Sequence, residues 1–173
     1  MTAGLTISIA AARERPVLEN LVQLYIHDFS ALFSGTPRGD LSDDGRYAID
    51  IPLDRWWSEA DHVPLLLRVD GRLAGFVLLN GASHGGAAVD RSIAEFFVVR
   101  KYRRSGIGTA AAGALFSRYP GHWEAAVMRR NDPALAFWTR CIGDHPALGR
   151  LVVADVASPA WDGTVFRFDI APA

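Results

Sequence analysis

Along residues 5–9, Leu-Thr-Ile-Ser-Ile, apolar and polar side chains alternate with the period of a half-buried strand. The period then changes. Leu18, Leu21, Val22, Tyr25, Phe29, Leu32 and Phe33 recur every three or four positions, which predicts an amphipathic helix with Tyr25 and Phe29 in the core. Arg13 to Pro16 supply the helix-start chemistry. Periodicity is lost over residues 34–62, where Gly35, Pro37, Gly39, Gly45 and Pro52 interrupt it, so an irregular or briefly helical connection is expected. Two apolar runs, 64–69 and 72–79, flank Asp70-Gly71, the dipeptide that accommodates the positive φ angles of a type I′ hairpin turn.

After a glycine-rich connection over residues 80–91, with His84 expected at the surface, Ile93, Phe96, Phe97, Val98 and Val99 predict a strand. A helix is expected from Thr109 to about Tyr119, where Pro120-Gly121 stops it, and residues 123–128 read as the next strand. That strand-helix-strand unit implies a parallel crossover. Asp132 as N-cap and Pro133 at the first helical position open a further helix, and residues 151–156 and 164–170 read as a closing antiparallel hairpin. The whole pattern predicts an α/β (α+β) fold with a mixed, mostly antiparallel central sheet flanked by helices.

Composition narrows the partners. The 173 residues suffice for one domain, residues 1–173, and half are hydrophobic with a net charge of −1, which gives no argument for nucleic acid or a membrane surface. The first nine residues lack the basic start and apolar run of a secretion signal, and no apolar stretch approaches the roughly 20 residues that span a bilayer, so a cytoplasmic protein is expected. The single cysteine, Cys141, excludes an intrachain disulfide, and the five histidines show no metal-ligand spacing, so neither metal nor thiol chemistry is expected. Within residues 34–62 seven acids face three arginines, while Trp56 and Trp57 either wall a pocket or pin the loop.

The chemistry concentrates in residues 93–109. The β-forming run leads into Arg103-Arg104-Ser105-Gly106-Ile107-Gly108-Thr109, where two glycines let a ligand approach the backbone and a helix begins directly behind. Unpaired amides and the positive end of the helix dipole suit a phosphate or diphosphate, with Arg100, Lys101, Arg103 and Arg104 adding charge. No lysine and Ser/Thr pair follows the second glycine, which separates this turn from a nucleotide P-loop.

This turn, followed after a helix and strand by Asn131-x-x-Ala134-x-x-Phe137-Trp138, resembles the GCN5-related N-acetyltransferase (GNAT) superfamily. The resemblance implies the acyl-CoA N-acyltransferase fold, acetyl-CoA as co-substrate, and an amine acceptor, either a small molecule or a peptide; a homodimer stays open. By the same resemblance, Phe97, Val98 and Val99 would pair through their backbones with the pantetheine arm. Arg103, Arg104, Ser105, Gly106, Ile107, Gly108 and Thr109 would anchor the diphosphate. Asn131, Phe137 and Trp138 would line the far side of the thioester channel.

Glu95 is the candidate general base, because an ammonium acceptor must lose a proton before it attacks. Strict alternation sets it on the face of Ile93, Phe97 and Val99, where burial would raise its carboxyl from about 4.3 toward neutrality. Many superfamily members carry a tyrosine, suited to protonating the departing thiolate, where this chain has Trp138, whose indole is no practical acid. Tyr25, Tyr47, Tyr102 and His145 are the remaining candidates, and a non-catalytic acyl-CoA-binding or regulatory module is the alternative reading.

Overall fold

The computed structural model describes residues 4–172. Strand β1 (Leu5–Ile9) leads into α1 (Arg15–Ser30), α2 (Arg55–Ser58), β2 (Val63–Val69), β3 (Arg72–Asn80) and β4 (Arg91–Val98). The chain continues through α3 (Ile107–Arg118), β5 (Gly121–Met128), α4 (Asp132–Gly143), β6 (Leu148–Ala157) and β7 (Asp162–Ile170). The strands form one sheet in the order β1-β2-β3-β4-β5-β7-β6. Every neighbouring pair is antiparallel except β4 and β5, which the α3 crossover makes parallel. This is the mixed, mostly antiparallel arrangement that the pattern of elements implies.

Local chemistry accounts for the boundaries. At the start of α1, Glu14 Oε2 accepts from the Ala11 amide at 3.0 Å and Arg15 pairs with Glu19 one turn on at 2.8 Å. The β2–β3 turn has φ of 49° at Asp70 and 76° at Gly71, the left-handed pair expected of Asp-Gly. The cap of α4 falls one residue earlier than expected: Asn131 Oδ1 accepts from the Ala134 amide at 3.3 Å, and Asp132 is inside the helix. Asparagine and aspartate cap equally well, so composition alone did not choose between them.

Two apolar layers sandwich the sheet. On one face α3 and α4 pack Ile107, Leu115, Phe116, Trp138 and Ile142 against Val77, Leu79, Trp123 and Phe168. On the other, Leu18, Leu21 and Val22 of α1 meet Leu66, Phe76, Leu78 and Phe97. Each such side chain contributes about 1.5–3 kcal/mol through burial. Trp56 and Trp57 donate from their indoles to the carbonyls of Leu79 (3.2 Å) and Ala10 (3.0 Å), so they pin the 34–62 segment, and neither lines the cavity described below. Among the described residues, no helix is long and apolar enough to cross a membrane.

One irregularity positions the site. Leu78 faces Glu95 across the β3–β4 ladder but Leu79 faces Ile93, so Ala94 is an extra residue, a β-bulge. Ile93 consequently packs into the α3–α4 core, whereas Phe97 and Val99 pack toward α1. The expected sharing of a face by Ile93 and Glu95 is thus overturned by the bulge.

Candidate active site

Strands β4 and β5 pair over only three positions, Arg91–Trp123, Ser92–Glu124 and Ile93–Ala125, and then part. Val99 donates its amide to Ala74 on the β3 side at 2.8 Å, so strand alternation turns the Val98 N–H into the opening. A cavity of about 510 Å³ occupies this region, lined by Ile93 to Phe96 on β4, Ala126 to Met128 on β5, and Asn131, Ala134 and Trp138 at α4. It extends past Tyr25, Phe29 and Phe33 to Arg38, Asp40, Tyr47 and Asp50, and His84 and Trp161 border it as well.

The glycine turn follows β4 directly. Helix α3 begins at Ile107, two residues before the expected start, with Gly106 as an N-cap at φ 85° and Arg104 at φ 60°. The first helical bond runs from Ala110 to the Gly106 carbonyl at 2.9 Å, so the amides of Ile107, Gly108 and Thr109 belong to the helix's open first turn. A Cβ at Gly106 would meet nothing within 4 Å, but one at Gly108 would come within 3.1 Å of the Phe137 ring. Gly108 therefore lets α3 and α4 close on each other, and the φ of Gly106 shapes the turn.

The arginines of the turn divide. Arg103 donates from Nε to the Val98 carbonyl at 2.6 Å and pairs with Asp28 of α1, which Arg100 also holds at 2.7 Å. Burial works to raise the Asp28 carboxyl, but the two guanidinium groups more than offset it and hold it below the usual carboxylate range. Arg103 and Arg100 thus tie the turn to α1, where the one Asp28 carboxylate offsets one of their two positive charges. Ser105 keeps its hydroxyl on the Tyr102 carbonyl at 2.7 Å.

Glu95 lies on the cavity wall where β4 and β5 part. Tyr25 of α1 donates its hydroxyl to Glu95 Oε2, and Tyr25 itself packs edge-on against Phe76 and Phe97 with ring centroids 5.8 Å away. Desolvation pushes the Glu95 carboxyl up to about 7; the Tyr25 bond pulls it down, Asp50 raises it further and His84 lowers it. Desolvation and the neighbouring carboxylate also lift the Tyr25 hydroxyl well above its ordinary range, so it stays protonated as a donor. The helical period marks Tyr25 only as a core residue; its bond to Glu95, 70 positions away, has no local sequence signature.

Of the other acid candidates, Tyr47 reaches the cavity and hydrogen-bonds His27 at 2.9 Å. Tyr102 and His145 pack elsewhere, His145 against Phe116 with centroids 5.5 Å apart. A second carboxylate was not singled out by its sequence: Glu124 of β5, with 0% exposure, is ringed by Ser83, His84 and Arg167. Glu59, Asp61 and His62 bring ligand-type atoms within 4.8 Å of one another, but Glu59 is engaged by Arg55 and Asp61 by His62.

Comparison with known proteins decides the family. A family model described as Acetyltransferase (GNAT) family matches residues 18–143, which includes the split strands, the glycine turn and α4. The chain belongs to the GNAT acetyltransferase family. It is thereby an acyl-CoA-dependent acyltransferase by family, and acetyl-CoA is the family's acyl donor. No curated protein matches it.

The solved GNAT structures similar to it share the fold at low identity. An acetyltransferase from Thermus thermophilus aligns at 15% identity with a TM-score of 0.67, over 99% of each chain. The ribosomal-protein-S18-alanine N-acetyltransferase of Escherichia coli aligns at 13% and 0.54, covering 98% of this chain and 96% of its own. PaiA N-acetyltransferase from Thermoplasma acidophilum, solved with coenzyme A, aligns at 12% and 0.59, covering 96% and 99%.

Within this GNAT chain the three α4 positions differ in what they touch. Asn131 caps the helix and borders the cavity. Phe137 packs on Phe96 and over Gly108. Trp138, where the family often has tyrosine, is 5% exposed and sits edge-on to Phe96 at 5.1 Å, still on the cavity wall.

Proposed function

We propose that residues 1–173 act as one N-acetyltransferase domain that moves the acetyl group of acetyl-CoA directly to an amine, with Glu95 as general base. The observation that carries this reading is Glu95 itself, a carboxylate lifted to about 7 on the wall of a cavity that opens where β4 and β5 part. A base with a pKa near the working pH combines an adequate ionised fraction with useful proton affinity.

The parts fit the donor in order. The amides of residues 104–109 and the start of α3 suit the diphosphate, with Lys101 and Arg104 beside it. Of the β4 groups at Phe97, Val98 and Val99, the Val98 N–H faces the opening and can meet the pantetheine arm or polarise the thioester carbonyl, while the Val98 carbonyl is held by Arg103 and the Val99 amide by Ala74. Asn131, Phe137 and Trp138 close the other side.

The acceptor enters past α1 and the 34–62 segment, where Asp40 and Asp50 attract a cation and Tyr47, Phe29 and Phe33 provide apolar walls. Its ammonium gives a proton to Glu95. The freed lone pair attacks the thioester carbonyl, the C–N bond forms and the C–S bond breaks, and coenzyme A leaves as a thiolate that takes up the proton the attacking nitrogen sheds as it becomes the amide. A thiol of pKa near 8.5 leaves in this way without a dedicated acid, which accommodates tryptophan at position 138. Both a small-molecule amine and a peptide amine match this entrance.

Free-thiol release from acetyl-CoA with a panel of primary amines and peptide N-termini tests the proposal. Glu95→Gln is expected to lower kcat by roughly 10²–10⁴-fold, the range for loss of a general base, with coenzyme A affinity unchanged. Coenzyme A binding with no thiol release for any acceptor would favour the binding-module reading instead.

A further inference from the structure

The β3–β4 connection carries a second polar cluster that the acetyl-transfer scheme above does not use. Trp123, Ala125 and Val127 of β5 point into the α3–α4 core, so alternation turns Glu124 and Ala126 to the face that Glu95 occupies. Glu124 is completely buried, yet it gathers four donors: Ser83 Oγ at 2.6 Å, the His84 amide at 2.6 Å, His84 Nδ1 at 3.3 Å and Arg167 Nε at 3.4 Å. Arg167 also donates to the Gly85 carbonyl at 2.9 Å, which fastens the loop a second time. The Trp161 ring covers the imidazole with centroids 4.3 Å apart.

Such an arrangement fixes both the orientation and the tautomer of one histidine. With Nδ1–H directed at a carboxylate, the basic nitrogen left to His84 is Nε2. His84 borders the same cavity as Glu95, and its side chain is 31% exposed where that of Glu124 is 0%. It therefore touches both the interior, where a proton is released, and bulk solvent, where the proton must end.

We propose that His84 is the proton exit of the transfer site. Resting on the reading of Glu95 as base, the inference adds the next step: after Glu95 has taken the ammonium proton, a water molecule carries it to His84 Nε2. Imidazolium then passes it to solvent, returning Glu95 to the carboxylate and His84 to the neutral ring. Glu124 is the positioning residue, holding the ring by its Nδ1–H, while Ser83 and Arg167 fix Glu124 in place. Glu124 and Arg167 stand beside the ring on the sheet side, and Glu95, Asp50, Asp40 and Arg38 line the cavity it borders.

Chemical rescue tests this in the full-length protein. His84→Ala is expected to lower kcat roughly 10- to 100-fold, the lower part of the range for a lost proton-transfer group, with KM for acetyl-CoA held within about twofold. Added imidazole or 1-methylimidazole is expected to restore turnover in that variant, and pyrazole, of the same size but weakly basic, to leave it slow. Equal recovery with pyrazole would mean that the ring merely fills space, and would overturn the proposal. So would a His84→Ala enzyme with wild-type turnover beside an inactive Glu95→Gln, an outcome that leaves the acetyl-transfer reading standing. Wild-type turnover in both variants would remove the two together.

Discussion

Glu95 and Glu124 stand on neighbouring strands, face the same side of the sheet and both lose most of their water, yet their carboxyls move in opposite directions. Glu95 is pushed up to about 7 and Glu124 down to about 2. Burial acts the same way on both, raising each; the difference lies in what replaces the water. Glu95 receives one neutral hydroxyl from Tyr25 and feels Asp50 at a distance. Glu124 receives donors from His84 and Ser83, which outweigh its desolvation, and Arg167 stands beside it. A sparsely solvated carboxylate is suited to exchanging a proton, and a saturated one to holding structure.

The largest consequence concerns Glu124. Glu124→Ala strips a buried charge from His84, Ser83 and Arg167, and is expected to cost about 3–5 kcal/mol, read as a lower urea midpoint at pH 7. Because the folded carboxyl lies below its unfolded value of 4.5, that stabilisation is complete above 4.5 and fades as pH falls toward about 2. A gap between wild type and variant that narrows between pH 5 and pH 2 is the expected outcome; a constant gap would indicate packing alone.

Glu95 should behave in the opposite sense. Its folded carboxyl lies above its unfolded value of 4.5, so the favourable protonated form contributes fully below 4.5 and is lost as pH rises through about 7. Glu95→Gln, which mimics the neutral form, is therefore expected to match wild type near pH 4.5 and to exceed it at pH 8 by about 1–3 kcal/mol. Thermal melts of the two proteins across that range check it. A variant less stable than wild type at pH 8 would mean that Glu95 is a structural ion, with the site's ordinary trade of stability for activity absent.

Much of this was legible in the chain because its signals are local. Asp70-Gly71 specifies its own turn, the Leu18-to-Phe33 period specifies α1, and the Gly106-Ile107-Gly108 turn follows a strand as a phosphate site requires. What escaped depends on partners far away in sequence. Asp28 pairs with both Arg100 and Arg103 across more than seventy positions, which ties the two side chains to α1. The Ala94 bulge arises from register with β3 and changes the face of Ile93. Glu124 looks like any polar residue of an alternating strand until the 81–90 connection and Arg167 converge on it. Tyr25 shows the same limit, since a helix period reports that a side chain is buried without reporting what its hydroxyl meets.

Proton exchange by Glu95 near neutrality is read most directly from the pH dependence of kcat with a saturating amine. Wild type is expected to lose activity below an apparent pKa of about 7 with the slope of a single proton. Tyr25→Phe, which removes the hydrogen bond that favours the carboxylate, should move that limb to higher pH. An acid limb near the ordinary carboxylate range, or one that Tyr25→Phe leaves in place, would mean that Glu95 is not the titrating base.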